Sequence, residues 1–140
     1  LTAAAAPRMT VRRVSSGSEY EDIVGYSRAV RQGPFVAVAG TTAPGPDVTA
    51  QTREVLRRIG SALQEVGAEL ADVVRTRIFV TDIGQWAAVG SAHREVFGDI
   101  RPAATMVQVA ALISPDLLVE IEADAYVVDS SGNVPSGPGT

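Results

Sequence analysis

The 140-residue chain has no cysteine. Disulfides, thiolate nucleophiles and cysteine-ligated zinc are therefore excluded. Lysine is missing too: all 12 basic residues are arginine. The single histidine, His93, rules out a histidine-rich metal centre and a two-histidine nuclease, and leaves at most one imidazole base. Aromatics are 5% of the chain, too few for a base-stacking surface. The net charge of −4 argues against a nucleic-acid partner, because such surfaces need clustered cations to displace counterions. No window approaches the ~18 apolar residues of a membrane span. Runs such as Ala3–Ala6, Phe35–Ala39 and Val109–Ile113 are far shorter.

What remains is an ordinary globular composition, 46% hydrophobic and 20% charged, enough for one core and too apolar for a disordered coil. Leu1–Arg8 (LTAAAAPR) lacks the basic n-region and long apolar stretch of a secretory signal. Residues 1–9 read as an N-terminal extension, either a cloning remnant or the yield of a start upstream of Met9. Residues 129–140 (DSSGNVPSGPGT) read as a flexible tail. The expected folded domain is 10–128, and the cytoplasm is its expected compartment. No internal repeat is present.

Tyr26–Val30 and Phe35–Ala39 are β-rich runs around a Gly33-Pro34 turn. Asp47 is an N-cap for a helix to about Val66, with Val48, Val55, Leu56, Ile59, Leu63 and Val66 on one stripe. Val73–Thr81 is a predicted strand, with Val74, Thr76, Ile78 and Val80 on one face. A second helix is predicted over Ile83–Phe97, with Trp86, Val89, His93, Val96 and Phe97 inward. Thr105–Ala111 and Val119–Val128 are the last strands. The order ββαβαββ predicts an α+β sandwich, one sheet with two helices on one face. The other face must be solvated or buried on another subunit.

The last strand alternates Val119, Ile121, Ala123, Ala125 and Val127 with Glu120, Glu122, Asp124 and Tyr126. The apolar set packs under the helices, so three carboxylates and a phenol share the uncovered face. Neighbouring acids at roughly 6.5–7 Å repel unless something basic answers them, and Arg75 and Arg77 of Val73–Thr81 can do so if that strand lies beside the last one. Such a face is either a solvated ladder of ion pairs or a polar pocket at a subunit interface.

Three segments resemble one family. Arg101-Pro102-Ala103-Ala104-Thr105-Met106-Val107-Gln108-Val109-Ala110 and Leu118-Val119-Glu120-Ile121-Glu122-Ala123 are similar to the C-terminal signature of the Rid proteins (YjgF-like, reactive intermediate deaminases, often labelled endoribonuclease L-PSP). Gly25-Tyr26-Ser27-Arg28-Ala29-Val30 and Val38-Ala39-Gly40-Thr41-Thr42 resemble that family's first-strand and second-strand segments. The resemblance covers about Gly17–Val128, and the all-arginine cation set suits a GC-rich bacterial source. It implies a chorismate-mutase-like fold and a homotrimer with small-molecule clefts between subunits. It also implies hydrolysis of 2-imino or enamine acids to 2-keto acids and ammonia, without metal or cofactor.

Carried over residue by residue, the resemblance makes Glu120 and Tyr26 the catalytic pair, Glu120 positioning water as the base and Tyr26 lining the pocket as its hydrogen-bond partner. Ala39, Gly40 and Thr41 become pocket walls, and Ala104, Thr105 and Met106 lie in the cleft region. The family's carboxylate-clamping arginine falls on Ala104. Its loss removes a charge-assisted contact of roughly 1.5–3 kcal/mol. The chain is therefore not expected to be a standard 2-imino acid deaminase. Arg28, Arg77 or Arg101 are the candidates to replace the arginine. A non-catalytic metabolite-binding trimer is the alternative expectation, and RNA cleavage ranks below both. Trp86 and His93 are expected to pack structurally, and Gly40-Thr41-Thr42 lacks the frame of a phosphate loop.

Overall fold

The computed structural model describes residues 10–128. The expected extension at 1–9 and tail at 129–140 lie outside the described residues. Strands β1 (Val11–Val14), β2 (Ala29–Gln32), β3 (Phe35–Thr41), β4 (Val73–Val80), β5 (Ala103–Gln108) and β6 (Val119–Tyr126) form one sheet in the order β1-β2-β3-β6-β4-β5. Every pairing is antiparallel except β4 with β5, so the sheet is mixed. Helix α1 is Glu19–Val24, α2 is Val48–Glu65 and α3 is Trp86–Phe97. Helices α2 and α3 connect β3 to β4 and β4 to β5, strands that run in the same direction. Both crossovers move the same way across the sheet, and a common handedness puts both helices on one face.

Asp47 caps α2, its side chain accepting from the Ala50 amide at 2.8 Å. The α2 stripe Val55, Leu56, Ile59 and Leu63 is fully buried against Val36, Val119, Ile121 and Ala125 of the sheet. Buried Gln51 ties the helix to the loop before β6. Its amide donates to Asp116 O (2.9 Å) and Gly45 O (3.2 Å), and its Oε1 accepts from Leu118 N (2.9 Å).

Several expectations need correction. Strand β1 and helix α1 are additional elements. The short β1 reads Val-Arg-Arg-Val, four residues with no period-2 alternation to reveal a strand. In α1, Glu21 is the one buried residue, while Tyr20, Ile23 and Val24 are exposed. The first predicted strand starts later, at Ala29, because Gly25 (φ 88°) ends α1 and the chain must still return to the sheet. A bulge at Val74 puts Val73 inside and leaves Val74 half exposed, reversing the predicted placement of Val74. Trp86 is 62% exposed rather than packed. Asp82 caps a separate 3-10 turn over Ile83–Gln85, so α3 begins at Trp86 and its buried stripe begins a turn later, at Val89. Strand β5 is Ala103–Gln108 rather than Thr105–Ala111.

Candidate functional site

Glu120, Glu122 and Asp124 project from β6 onto the sheet face that α2 and α3 leave uncovered, as the alternation requires. Arg77 answers two of them, its Nη1 lying 3.3 Å from Glu122 Oε1 and 3.2 Å from Asp124 Oδ2. Arg75, opposite Asp124 in register, makes no ion pair among the described residues.

Glu120 has a different environment, created by an irregularity in β3. The register passes from Val38–Ala123 to Thr41–Ile121, so Ala39 and Gly40 together oppose one residue of β6. This bulge brings the Gly40 backbone beneath the Glu120 carboxylate. A Cβ added at Gly40 would overlap Glu120 Oε2 and lie 3.0 Å from its Cδ. Gly40 is required by close approach rather than by its backbone angles. A glycine inside a strand run was the available sign of the bulge.

Arg28 closes the other side. Its Nη1 donates to Gly40 O (2.7 Å), Thr41 Oγ1 (3.1 Å) and Ala39 O (3.4 Å), and its Nη2 donates to Tyr26 OH (3.3 Å). The guanidinium carbon is 5.6 Å from the centre of the Tyr26 ring. Thr41 is buried and donates to Ala39 O at 2.8 Å. Tyr26, Arg28, Ala39, Gly40, Thr41 and Glu120 therefore form one cluster. Burial pushes the Glu120 carboxyl above its ordinary range, Glu122 adds to this by repulsion, and Arg28 opposes it. Arg28 thus has the opposing role that the sequence pattern suggested for Arg77.

Two depressions flank the cluster. One of about 440 Å³ runs over Tyr26, Ala39, Glu122 and Asp124. The other, about 500 Å³, is lined by Ser16, Arg28, Thr41, Arg57 and Arg58. Arg57 and Arg58 both bond Glu54, holding its carboxyl down at about 2.

The remaining predicted site residues lie elsewhere in the protomer. Strand β4 separates β5 from β6. Thr105 pairs with Arg77 and shares the uncovered face two strands from β6. Ala104 and Met106 pair with Thr76 and Ile78, on the helix side, and Met106 packs against the core. Within one protomer they do not meet Glu120. His93 is half-buried, its Nε2 3.0 Å from Thr76 Oγ1 and its ring 4.7 Å from that of Phe97. Burial pushes its imidazole down, which keeps it neutral. Among the described residues no cluster of His, Asp and Glu is arranged to hold a metal, and no helix is long and apolar enough to cross a membrane.

A family model described as Endoribonuclease L-PSP matches residues 17–127. An uncharacterized protein of Streptomyces coelicolor is 39% identical over 129 residues, 86% of this chain and 96% of that protein. The 3-aminoacrylate deaminase RutC of Acinetobacter baylyi is 41% identical over 81 residues, 58% of this chain and 64% of that protein. The crystal structure of a YjgF/YER057c/UK114 family member from Mycobacterium tuberculosis superposes with a TM-score of 0.83 at 65% identity, over 84% of this chain and 100% of that one. One mixed sheet, helices on one face and a family match over most of its length together show that the chain belongs to the Rid (YjgF) family and has its chorismate-mutase-like α+β fold.

Proposed function

We propose that the chain is a homotrimer whose inter-subunit clefts hydrolyse a small imine or enamine to a carbonyl compound and ammonia. The observation that carries this reading is the half-buried Glu120 carboxylate, set over Gly40 beside the Tyr26–Arg28 pair, with its affinity for protons raised. A base tuned towards neutrality can take a proton from water as the water oxygen adds to the imine carbon. The same carboxyl returns that proton to nitrogen, giving a carbinolamine. A second transfer through the carboxyl, from the carbinolamine hydroxyl to nitrogen, lets the C–N bond break as the carbonyl forms and ammonia leaves. Tyr26 and Arg28 orient the substrate through hydrogen bonds. Separation of β5 from β6 within a protomer supports a cleft completed by a second copy, and so does the uncovered sheet face.

The deaminase name of the Acinetobacter relative supports the reaction class. Ala104 separates this chain from standard 2-imino acid deamination, because a methyl group cannot clamp a carboxylate. The same residue favours a second reading, a trimer that binds a small metabolite without turning it over. RNA cleavage by paired histidines lacks its chemistry here, since the single histidine is engaged with Thr76.

The two readings separate when imines made in situ by an amino-acid oxidase are trapped with semicarbazide. The catalytic reading expects the protein to lower semicarbazone yield by hydrolysing the imine first, more slowly than relatives carrying the arginine. Glu120→Gln should cut that rate by roughly 10²–10⁴. No effect of the wild-type chain on any imine leaves the binding trimer, and full activity in Glu120→Gln removes Glu120 as the base.

A further inference from the structure

On the helix side of the sheet, away from Glu120, α3 and the start of β5 enclose a groove of about 500 Å³. Its lining includes His93, Arg94, Phe97, Arg101 and Ala104, and no carboxylate among the described residues. We propose that this groove binds a small oxyanion, the carboxylate or phosphate group of a metabolite, through Arg94 and Arg101.

Three observations carry the assignment. Neither guanidinium has an acidic partner among the described residues. Arg94 makes no side-chain hydrogen bond there, and Arg101 uses only its Nε, on Gly98 O at 3.0 Å. Most of the other arginines that border a groove are committed. Arg57 and Arg58 share the Glu54 carboxylate, and Arg28 belongs to the Tyr26–Glu120 cluster on the other face. Glu95, the acid next to Arg94, is taken by Arg53 at 2.7 and 3.0 Å.

The second observation is backbone strain. Arg101 has φ 54°, the one positive φ outside glycine among the described residues. Glycine adopts this region freely, whereas an arginine there is strained. Residues held in such conformations concentrate at binding sites. The third observation is the floor. Ala104 contributes a methyl group and Phe97 a ring, so an anion seated there would be partly shielded from water and its ion pairs strengthened. The α3 C-terminus adds a partial negative charge of about one half, which two full cations outweigh. Planar guanidinium forks match the paired oxygens of a carboxylate or phosphate.

The chain's single histidine lines the groove, so its one imidazole Cε1–H signal in a proton NMR spectrum reports binding directly. The full chain is titrated with sodium phosphate and, separately, with sodium propionate at constant ionic strength. A saturable shift of the His93 signal with at least one anion is expected, with an upward move of the imidazole titration midpoint as the anion stabilises the charged ring. The probe that saturates at lower concentration identifies the group as phosphate or carboxylate. The double variant Arg94→Gln/Arg101→Gly should weaken binding about tenfold or more. It should also fold, since glycine suits the Arg101 backbone. Glu120→Gln should bind like wild type, which keeps this test independent of the imine reaction. A linear, unsaturated response to both anions, undiminished binding by the double variant, or loss of binding in Glu120→Gln would each overturn the proposal.

Discussion

Among single residues, Gly40 tests the candidate site most sharply. Its backbone tolerates any side chain, and only the Glu120 carboxylate stands in the way. That carboxylate ends a flexible side chain, so Gly40→Ala should displace it at little cost in thermal stability. Activity should fall nearly as far as in Glu120→Gln, and comparing melting curves with imine turnover checks both halves. Glu120 also has a signature in acid. Its midpoint in the folded chain lies above the ordinary 4.5, so between those values the native state holds more protons than the unfolded one. Its contribution therefore falls as pH rises through that window. Urea titrations should find Glu120→Gln more stable than wild type at pH 7, the advantage vanishing below about pH 4. Glu21 runs the other way. The Ser16 hydroxyl at 2.7 Å and amide at 3.0 Å hold its carboxyl below the ordinary value. Its stabilisation is present above that value and is lost as pH falls through the lowered midpoint.

At the scale of elements, period was legible where it was long. The α2 stripe and the β6 alternation each run over at least eight residues, and both hold. Short or irregular elements were not legible. β1 and α1 have four and six residues. The Val74 bulge breaks the alternation that put Val74 inside, and the α3 stripe starts one turn later than Trp86 suggested. The cluster was partly legible: Glu120, Tyr26 and Gly40 follow from the resemblance, whereas the bonding of Arg28 depends on the path of the β3 bulge, of which Gly40 was the one sign. The Arg94–Arg101 groove left no periodic sign, because it is built from a helix end, a connection and a strand start. Gln51 illustrates a long-range tie with no local signal. Gln51→Leu would leave the Leu118 amide and two carbonyls without partners, costing about 2–4 kcal/mol. Chemical denaturation should show that loss, and a change under ~1 kcal/mol would mean that water replaces the bonds.

For the whole molecule, the expected assembly has a mass of about 44 kDa, three times the 14.6 kDa chain, with the uncovered faces turned inward. Light scattering returning a stable monomer at micromolar concentration would remove the inter-subunit cleft. The burial of His93 has a consequence for how such an assembly meets its surroundings. Lysine is absent, arginine stays charged to beyond pH ~12, and ordinary carboxylates are ionised above pH ~5. Glu120 is displaced upward from its ordinary value by burial, and His93 is displaced downward by burial, so the imidazole changes charge on the acid side of neutrality. From about pH 7 to 9 neither lysine, cysteine nor an ordinary carboxylate titrates, so electrophoretic mobility should change there by little more than the single charge of the α-amino group. Against so quiet a background, proton uptake or release on adding a metabolite would come chiefly from the metabolite itself or from Glu120 and His93.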